Sequence, residues 1–325
     1  MNCSGQTAKV PSEPVSLILT TLNEEASLSE FRDSLLRQSL LPDELVVCDG
    51  GSTDRTVSIL RSWELPGINI RVIVEKSAGI ARGRNTAIRH AAHDLIAVTD
   101  AGCRLDPGWL KNITRPFAGG KPVFVVGGGY SIEARTCFEH IVKAAELRIE
   151  NIPPEDFLPS SRSFALRRSA WSAVGGYPEH LSFAGEDTDF CIRLKNAGYE
   201  IELALDAVVH WRPRPTLGKF VRQHILYGIG DGEAGNNGYR YARVLLKHIL
   251  LWSPAIAAFF QPAAAALLCV SFPAYFIKLF RLYGWNTVPA ARALAAFVLV
   301  GIKEISAFTG YLRGSWRRFG TRKTE

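Results

Sequence analysis

At 325 residues the chain is long enough for a catalytic domain plus an appendage. A formal net charge of +7 suits nucleic acid, anionic lipid or phosphorylated substrates. The Lys and Arg are spread, however, and no aromatic-plus-basic module stands out, so nucleic acid is not the expected partner. The six cysteines form no C-x-x-C pair, which argues against a zinc site or a disulfide framework and fits a reducing compartment.

Residues 1–14 are polar with two prolines, a flexible N-terminus without a secretory apolar core. Val15–Thr20 reads as a strand, and Asn23-Glu24-Glu25 opens a helix over about 26–38. Glu44–Cys48 is the second strand, and Thr53-Asp54 caps a helix to about Ser62. Asn69–Val74 is a third strand, Gly79–Ala92 a helix, Asp94–Thr99 a fourth strand and Pro107–Phe117 a helix. Strands alternating with helices of this length argue a parallel sheet with βαβ crossovers. The pattern then changes. Val123–Tyr130 is a strand, Cys137–Ile149 a helix, and Asn151–Ser161 a Pro-rich loop of the kind that often serves as a lid. Ser163–Leu166 is a short strand. Glu186–Ala197 reads as a helix, with acids in its first turn and Gly198 past its end. Glu200–Leu205 and Val208–Trp211 are strands.

Composition shifts near residue 244. Ile249 to Ile277 carries no charged side chain and is long enough for a bilayer core of about 30 Å, which needs about 20 residues. Pro254, Pro262 and Pro273 interrupt it, and membrane helices tolerate such kinks. A second apolar stretch, about 290–312, can cross if Lys303 and Glu304 face a partner helix, or lie in the interface. Arg313, Arg317, Arg318, Arg322 and Lys323 follow. The positive-inside rule places this tail in the cytoplasm, so an even number of crossings is expected, most simply two. The expected organisation is a catalytic domain over 15–230 and a helical membrane-anchoring region over 231–325.

The chemistry gathers at the strand ends. Asp49 ends Glu44-Leu-Val-Val-Cys-Asp49 and Asp100 ends Leu95-Ile-Ala-Val-Thr-Asp100. In an open α/β sheet, ligands bind at the carboxyl ends of the strands. One acid there can accept from a base or ribose, and the other can hold Mg²⁺ or Mn²⁺ against a diphosphate. Glu186-Asp187 opens a helix whose N-terminal side chains project toward such a cleft.

Five motifs occur in order: Val15-Ser-Leu-Ile-Leu-Thr-Thr-Leu-Asn23-Glu24-Glu25, Asp49-Gly-Gly-Ser-Thr-Asp54, Gly79-Ile-Ala-Arg82-Gly-Arg84-Asn85, Asp100-Ala-Gly and Gly185-Glu186-Asp187. Together they resemble the inverting family 2 glycosyltransferases with a GT-A fold, over roughly residues 13–230. The resemblance implies a nucleoside-diphosphate sugar donor, with UDP the usual nucleotide, a divalent cation (Mn²⁺ or Mg²⁺) and a single displacement with inversion. It implies nucleotide contacts from Thr21 and Glu24, a base contact from Asp49, and a base-and-diphosphate lining from Arg82, Arg84 and Asn85. Asp100 matches the first acid of the Asp-x-Asp motif, whose second acid is replaced here by Gly102. His210 is then a candidate to complete the metal set with Asp100; the alternative is a strand-end histidine beside Trp211. Asp187 matches the general base, with Glu186 beside it. The segment Tyr227-Gly-Ile-Gly230-Asp-Gly232 reads either as a mobile gate or as a surface linker helix. The anchor implies a lipid-linked or glycan acceptor, and a catalytic domain on the cytoplasmic face of the membrane. Two other readings fit part of the pattern: a nucleotidyltransferase-like enzyme, and a non-catalytic nucleotide-sugar-binding membrane module.

Overall fold

The computed structural model describes residues 13–147, 149–153, 156–182 and 184–321. Residues 1–12 of the N-terminal stretch, residues 154 and 155 of the Pro-rich loop, and Arg322 and Lys323 of the basic tail lie outside the described residues. In chain order the elements are β1 (Val15–Thr21), α1 (Leu28–Leu36), β2 (Glu44–Asp49), α2 (Thr56–Arg61), β3 (Asn69–Val74), α3 (Ile80–His90), β4 (Leu95–Asp100), β5 (Cys103–Leu105), α4 (Trp109–Thr114), β6 (Val125–Ile132) and α5 (Cys137–Ala144). They continue with β7 (Phe164–Arg167), α6 (Arg168–Ala173), α7 (Glu186–Asn196), β8 (Ile201–Trp211), α8 (Leu217–Ala234), α9 (Gly238–Phe260), α10 (Leu268–Tyr283) and α11 (Ala290–Thr321). The chain divides into two compact units. The first holds residues up to Ile132, Leu158–Leu181 and Glu186–Arg212; the second holds Glu133–Phe157, Ser182–Gly185 and everything from Pro213.

The first unit is built on one eight-stranded sheet of order β3-β2-β1-β4-β7-β6-β8-β5. β1 pairs in parallel with β2 and β4, and β2 with β3. The central strands are apolar runs because both their faces are covered. Leu17, Leu19, Val47 and Ala97 fill one core, while Ile18, Val46, Val98 and Phe164 fill the core on the opposite face. β3 is one edge strand, and its first four positions alternate between exposed and half-buried. Beyond β4 the sheet turns mixed, with β7 antiparallel to both β4 and β6. The two expected strands over 200–211 are one strand, β8, which shifts register where it passes Gly128 and Gly129.

The second unit has its own core, in which Phe220, Leu279, Trp285, Ala293 and Ala296 are buried together. The indole of Trp285 donates to the Ala144 carbonyl (2.6 Å). α8 lies directly against α11 along a seam of glycines. A Cβ on Gly228 would stand 2.0 Å from the Ala307 carbonyl oxygen, and one on Gly310 would stand 2.0 Å from that of Ile225. Gly232 and Gly314 continue the seam one turn on. Small residues four apart let two helix backbones approach closely, as in membrane helix pairs. The glycines once open to a gate reading are therefore packing positions inside a regular helix. Gly310→Ala should cost about 1–3 kcal/mol by overpacking. Gly301→Ala, on the same helix in open space, should be neutral or slightly stabilising. Thermal unfolding of the full chain in detergent compares the two, and equal midpoints for both variants would dismiss the seam.

Among the described residues, three helices are long and apolar enough to cross a membrane: Gly238–Phe260, Pro262–Tyr283 and Ala290–Gly320. This corrects the expectation of one span over 249–277. Gln261 leaves the helical region (φ −137°, ψ 99°) and Pro262 opens the next turn, so the uncharged run folds as a helical hairpin. The charges of α11 do face partners. Lys303 pairs with Glu146 (2.7 Å), and Glu304 meets Lys247 and His248.

Candidate active site

The register of the sheet brings the two strand-end acids together. Thr21 of β1 pairs with Asp49, and Thr20 pairs with Asp100, so the acids end on either side of β1 at one edge of the sheet. They are not equivalent. Asp49 is fully buried and accepts from the Thr21 hydroxyl (2.9 Å), the amides of Gly51 (2.9 Å) and Ser52 (2.7 Å) and the Ser52 hydroxyl (2.5 Å). Four donors saturate a carboxylate. Asp49 shapes the 50–53 loop, and a base bonding to it would replace one of these donors, the Ser52 hydroxyl being free to turn. Thr21 is spent on it. Glu24 is half-buried, accepts from the Ser27 hydroxyl (2.7 Å) and secures the start of the first helix.

Asp100 is a quarter exposed and meets two arginines. One terminal nitrogen of Arg84 donates to its Oδ1 (2.8 Å), and Arg162 Nε stands 3.8 Å from its Oδ2. The other terminal nitrogen of Arg84 donates to Glu186 Oε1 (2.6 Å). The Arg84 side chain is only 3% exposed, and its guanidinium lies 5.5 Å from the centre of the buried Tyr177 ring. A charge this deep persists only when paired and hydrogen-bonded. Burial opposes the charge on Arg84, but Asp100 and Glu186 outweigh it and hold the guanidinium protonated above its ordinary range. Burial, and then the neighbouring Asp187 carboxylate, push Glu186 above the usual carboxylate range against the pull of Arg84.

Arg84 thus faces inward and ties the end of β4 to the first turn of α7, where a diphosphate-lining role was expected. Asn85 is buried too. Its amide donates to the Tyr177 carbonyl (2.9 Å) and Glu179 (2.8 Å), and its oxygen accepts from Trp171 Nε1 (2.9 Å) and the Tyr177 amide (2.8 Å). With every donor and acceptor used inside the protein, Asn85 fixes the 171–179 turn rather than a ligand. Of the three expected lining residues only Arg82 is exposed, where it pairs with Glu75.

Asp187, next to the locked Glu186, is half-buried. It has no ion pair among the described residues, and its Oδ1 accepts from the Thr188 amide (2.9 Å). α7 therefore presents two adjacent carboxylates in different states, one anchored and one available.

His210, expected as the second metal ligand, lies on β8. Side chains alternate along β8, so Val209 and Trp211 face the core while His210 faces the other way. There it is opposite Arg104 in register, with Nε2 3.7 Å from Asp106. Among the described residues no three His, Cys, Asp or Glu gather to hold a cation. The space beside Gly102 is open, with nothing within 4 Å of an added Cβ. What the site offers a cation is one partly exposed carboxylate. That fits an ion such as Mg²⁺ or Mn²⁺, which is usually held by one or two carboxylates plus substrate phosphates, and does not fit an all-protein cage.

Arg162 is a site residue that the sequence reading missed. Its guanidinium stacks 4.7 Å over Trp211, and its carbonyl accepts from the buried Thr99 hydroxyl (2.8 Å), one residue before Asp100. The only local signal was a basic residue closing a Pro- and Ser-rich loop.

Comparison with known proteins agrees with this architecture. Residues 16–172 match the family model described as Glycosyl transferase family 2, and residues 117–302 match Glycosyl transferase family group 2. The O-antigen chain rhamnosyltransferase RfbN of Salmonella typhimurium is 26% identical over 267 residues, covering 74% of this chain and 84% of that protein. Glycosyltransferase AglE of Haloferax volcanii is 24% identical over 223 residues, 67% of this chain and 72% of its own. Among solved structures, the mannosyltransferase PcManGT from Pyrobaculum calidifontis, in complex with GDP-Man and Mn²⁺, superposes with a TM-score of 0.60 at 20% identity, covering 94% of this chain and 88% of that one. That likeness concerns the fold, which is GT-A. With the family-group model matching more than half of its length, the chain belongs to the family 2 glycosyltransferases.

Proposed function

We propose that this chain transfers a sugar from a nucleoside-diphosphate sugar to a lipid-linked or glycan acceptor at the membrane, with inversion, and that Asp187 is the general base. The observation that carries this reading is the contrast within Glu186-Asp187. Glu186 is buried and bound to Arg84, so it positions the turn, whereas Asp187 keeps a carboxylate free of ion pairs among the described residues. A sugar hydroxyl is a poor nucleophile until a base takes its proton. In one displacement the acceptor oxygen bonds to the anomeric carbon as its proton passes to Asp187. The bond from that carbon to the diphosphate breaks, and the nucleoside diphosphate leaves with the electron pair. Arg162 adds positive charge beside Asp100, where the negative charge of the leaving group develops. A divalent cation, when bound, neutralises the departing diphosphate. Asp100 is the residue that would hold it.

UDP is the nucleotide to test first. Asp49 is the residue proposed for the base, which would take the place of the Ser52 hydroxyl on its carboxylate. The three long apolar helices support membrane attachment. We read α9 and α10 as a pair that returns to the face it enters from, and α11, packed along α8 through Gly310 and Gly314, as not crossing, so that the arginines at its end lie on the same cytoplasmic face as the catalytic domain, as the positive-inside rule favours.

Nucleotide release by the full chain in membranes, measured across donor sugars and cation concentrations, tests the proposal. Asp100→Asn should raise the Mn²⁺ or Mg²⁺ concentration for half-maximal activity by about tenfold or more, by analogy with losses in metal affinity at other sites. His210→Ala should leave that concentration unchanged. A shift in the His210 variant would return His210 to the site.

A further inference from the structure

α9 and α10 carry a feature that the transfer chemistry does not use. Trp252 meets Phe272 edge to face (5.1 Å between centroids) and Lys247 Nζ reaches the Tyr275 hydroxyl (3.0 Å), so the two helices run antiparallel. The hairpin contains no acid. Its cations, Arg240, Arg243 and Lys247 on α9 and Lys278 and Arg281 on α10, all lie at its open end. At the opposite tip, Phe259 and Phe260 are 87% and 82% exposed. From Ile249 to Phe260 α9 is uncharged for about 18 Å at 1.5 Å per residue. Cations bordering such a stretch sit at headgroup depth, where Lys and Arg extend toward phosphates.

A cavity of about 340 Å³ opens between the two helices at that level. On α9 its wall is Arg243, Leu246, Lys247, Leu250 and Leu251, at i, i+3, i+4, i+7 and i+8, which is one face of the helix. The cavity is therefore cationic at one end and apolar along the other. Two further observations point to a ligand. Arg243 has no ion pair among the described residues and lies over the Tyr239 ring (5.6 Å). Ser271, which lines the cavity from α10, has a buried hydroxyl with no hydrogen-bond partner among the described residues. Lys247 is shared between Glu304 and Tyr275, which fixes its position at the mouth.

We propose that this groove binds the phosphate of a single-chain lipid, the membrane-borne acceptor of the transfer proposed above. Arg243 and Lys247 hold the phosphate and the leucines hold the first part of the chain. The volume lies at the lower end of ligand pockets, enough for a headgroup and one chain but not two.

The test uses full-length protein in nanodiscs of phosphatidylcholine and measures retention of a radiolabelled long-chain isoprenyl monophosphate in the absence of sugar donor. Wild type should bind saturably, and the unphosphorylated isoprenol should bind about tenfold more weakly or worse, as loss of a charge-assisted contact predicts. Arg243→Gln should weaken binding of the phosphate by a similar factor without changing the thermal midpoint. Leu250→Trp, which fills the groove, should do the same. Phosphatidylglycerol in tenfold excess should leave binding in place. Unchanged binding in both variants, or displacement by phosphatidylglycerol, would overturn the proposal. Because donor is absent, this readout is separate from turnover. Donor cleavage with variant-insensitive lipid binding removes the groove alone, whereas Arg243-dependent lipid binding without donor cleavage removes the transferase reading alone.

Discussion

Asp187→Asn should lower kcat by about 10²–10⁴-fold, the usual contribution of a positioned general base, and leave donor affinity and thermal stability near wild type. The amide keeps the shape of the side chain and can still accept from the Thr188 amide. It removes only the capacity to take a proton, and no ion pair among the described residues is lost with it. Glu186→Gln makes a useful contrast. That change weakens a buried contact to Arg84, so its effect should be seen in stability as well as in rate. Initial rates over donor and acceptor concentration, with a melting curve for each variant, separate the two. Near-normal turnover in Asp187→Asn would remove Asp187 as the base. Normal stability in Glu186→Gln would remove the anchoring role given to Glu186.

Much of this site could be read from the sequence, because a strand-end acid after an apolar run is a local pattern. Asp49 and Asp100 stand where that pattern put them, on either side of β1. What they do there depends on partners distant in sequence. Nothing local to Asp49 announced that its own loop would fill all of its oxygens. The burial of Arg84 and Asn85 is legible in the sequence. With Ala81 and Ile88 they fall at i, i+3, i+4 and i+7, the buried stripe of α3, so both had to find polar partners inside. The same reasoning applies to His210, since alternation with buried Val209 and half-buried Trp211 turns it away from the core. The hairpin was hidden by composition. Hydropathy alone sees one uncharged run, whereas Pro262 and the extended Gln261 before it make two helices. Arg162 was not legible in physical terms, because its place beside Asp100 is set by the pairing of β7 against β4, a long-range choice.

The consequence of that long-range assembly is concentrated in Arg84. Arg84→Ala should destabilise the first unit by about 3–5 kcal/mol, because it strands two carboxylates that the fold holds next to each other's counter-charge. Transfer should fall by more than the unfolded fraction accounts for, since Asp100 and the first turn of α7 lose their shared anchor and small displacements at a reacting centre cost about 10²-fold. Arg84→Lys discriminates charge from geometry. One ammonium cannot reproduce the two-pronged contact to Asp100 and Glu186, so most of the rate should still be lost while part of the stability returns. The double variant Arg84→Met with Glu186→Leu goes further. Replacing a buried pair by apolar residues of similar size is often neutral for folding, so this protein should melt near wild type and remain inactive. If it were active, the ion pair would be a matter of folding alone. An Arg84→Ala variant with wild-type melting and turnover would show that the two ends of the site do not depend on this residue at all.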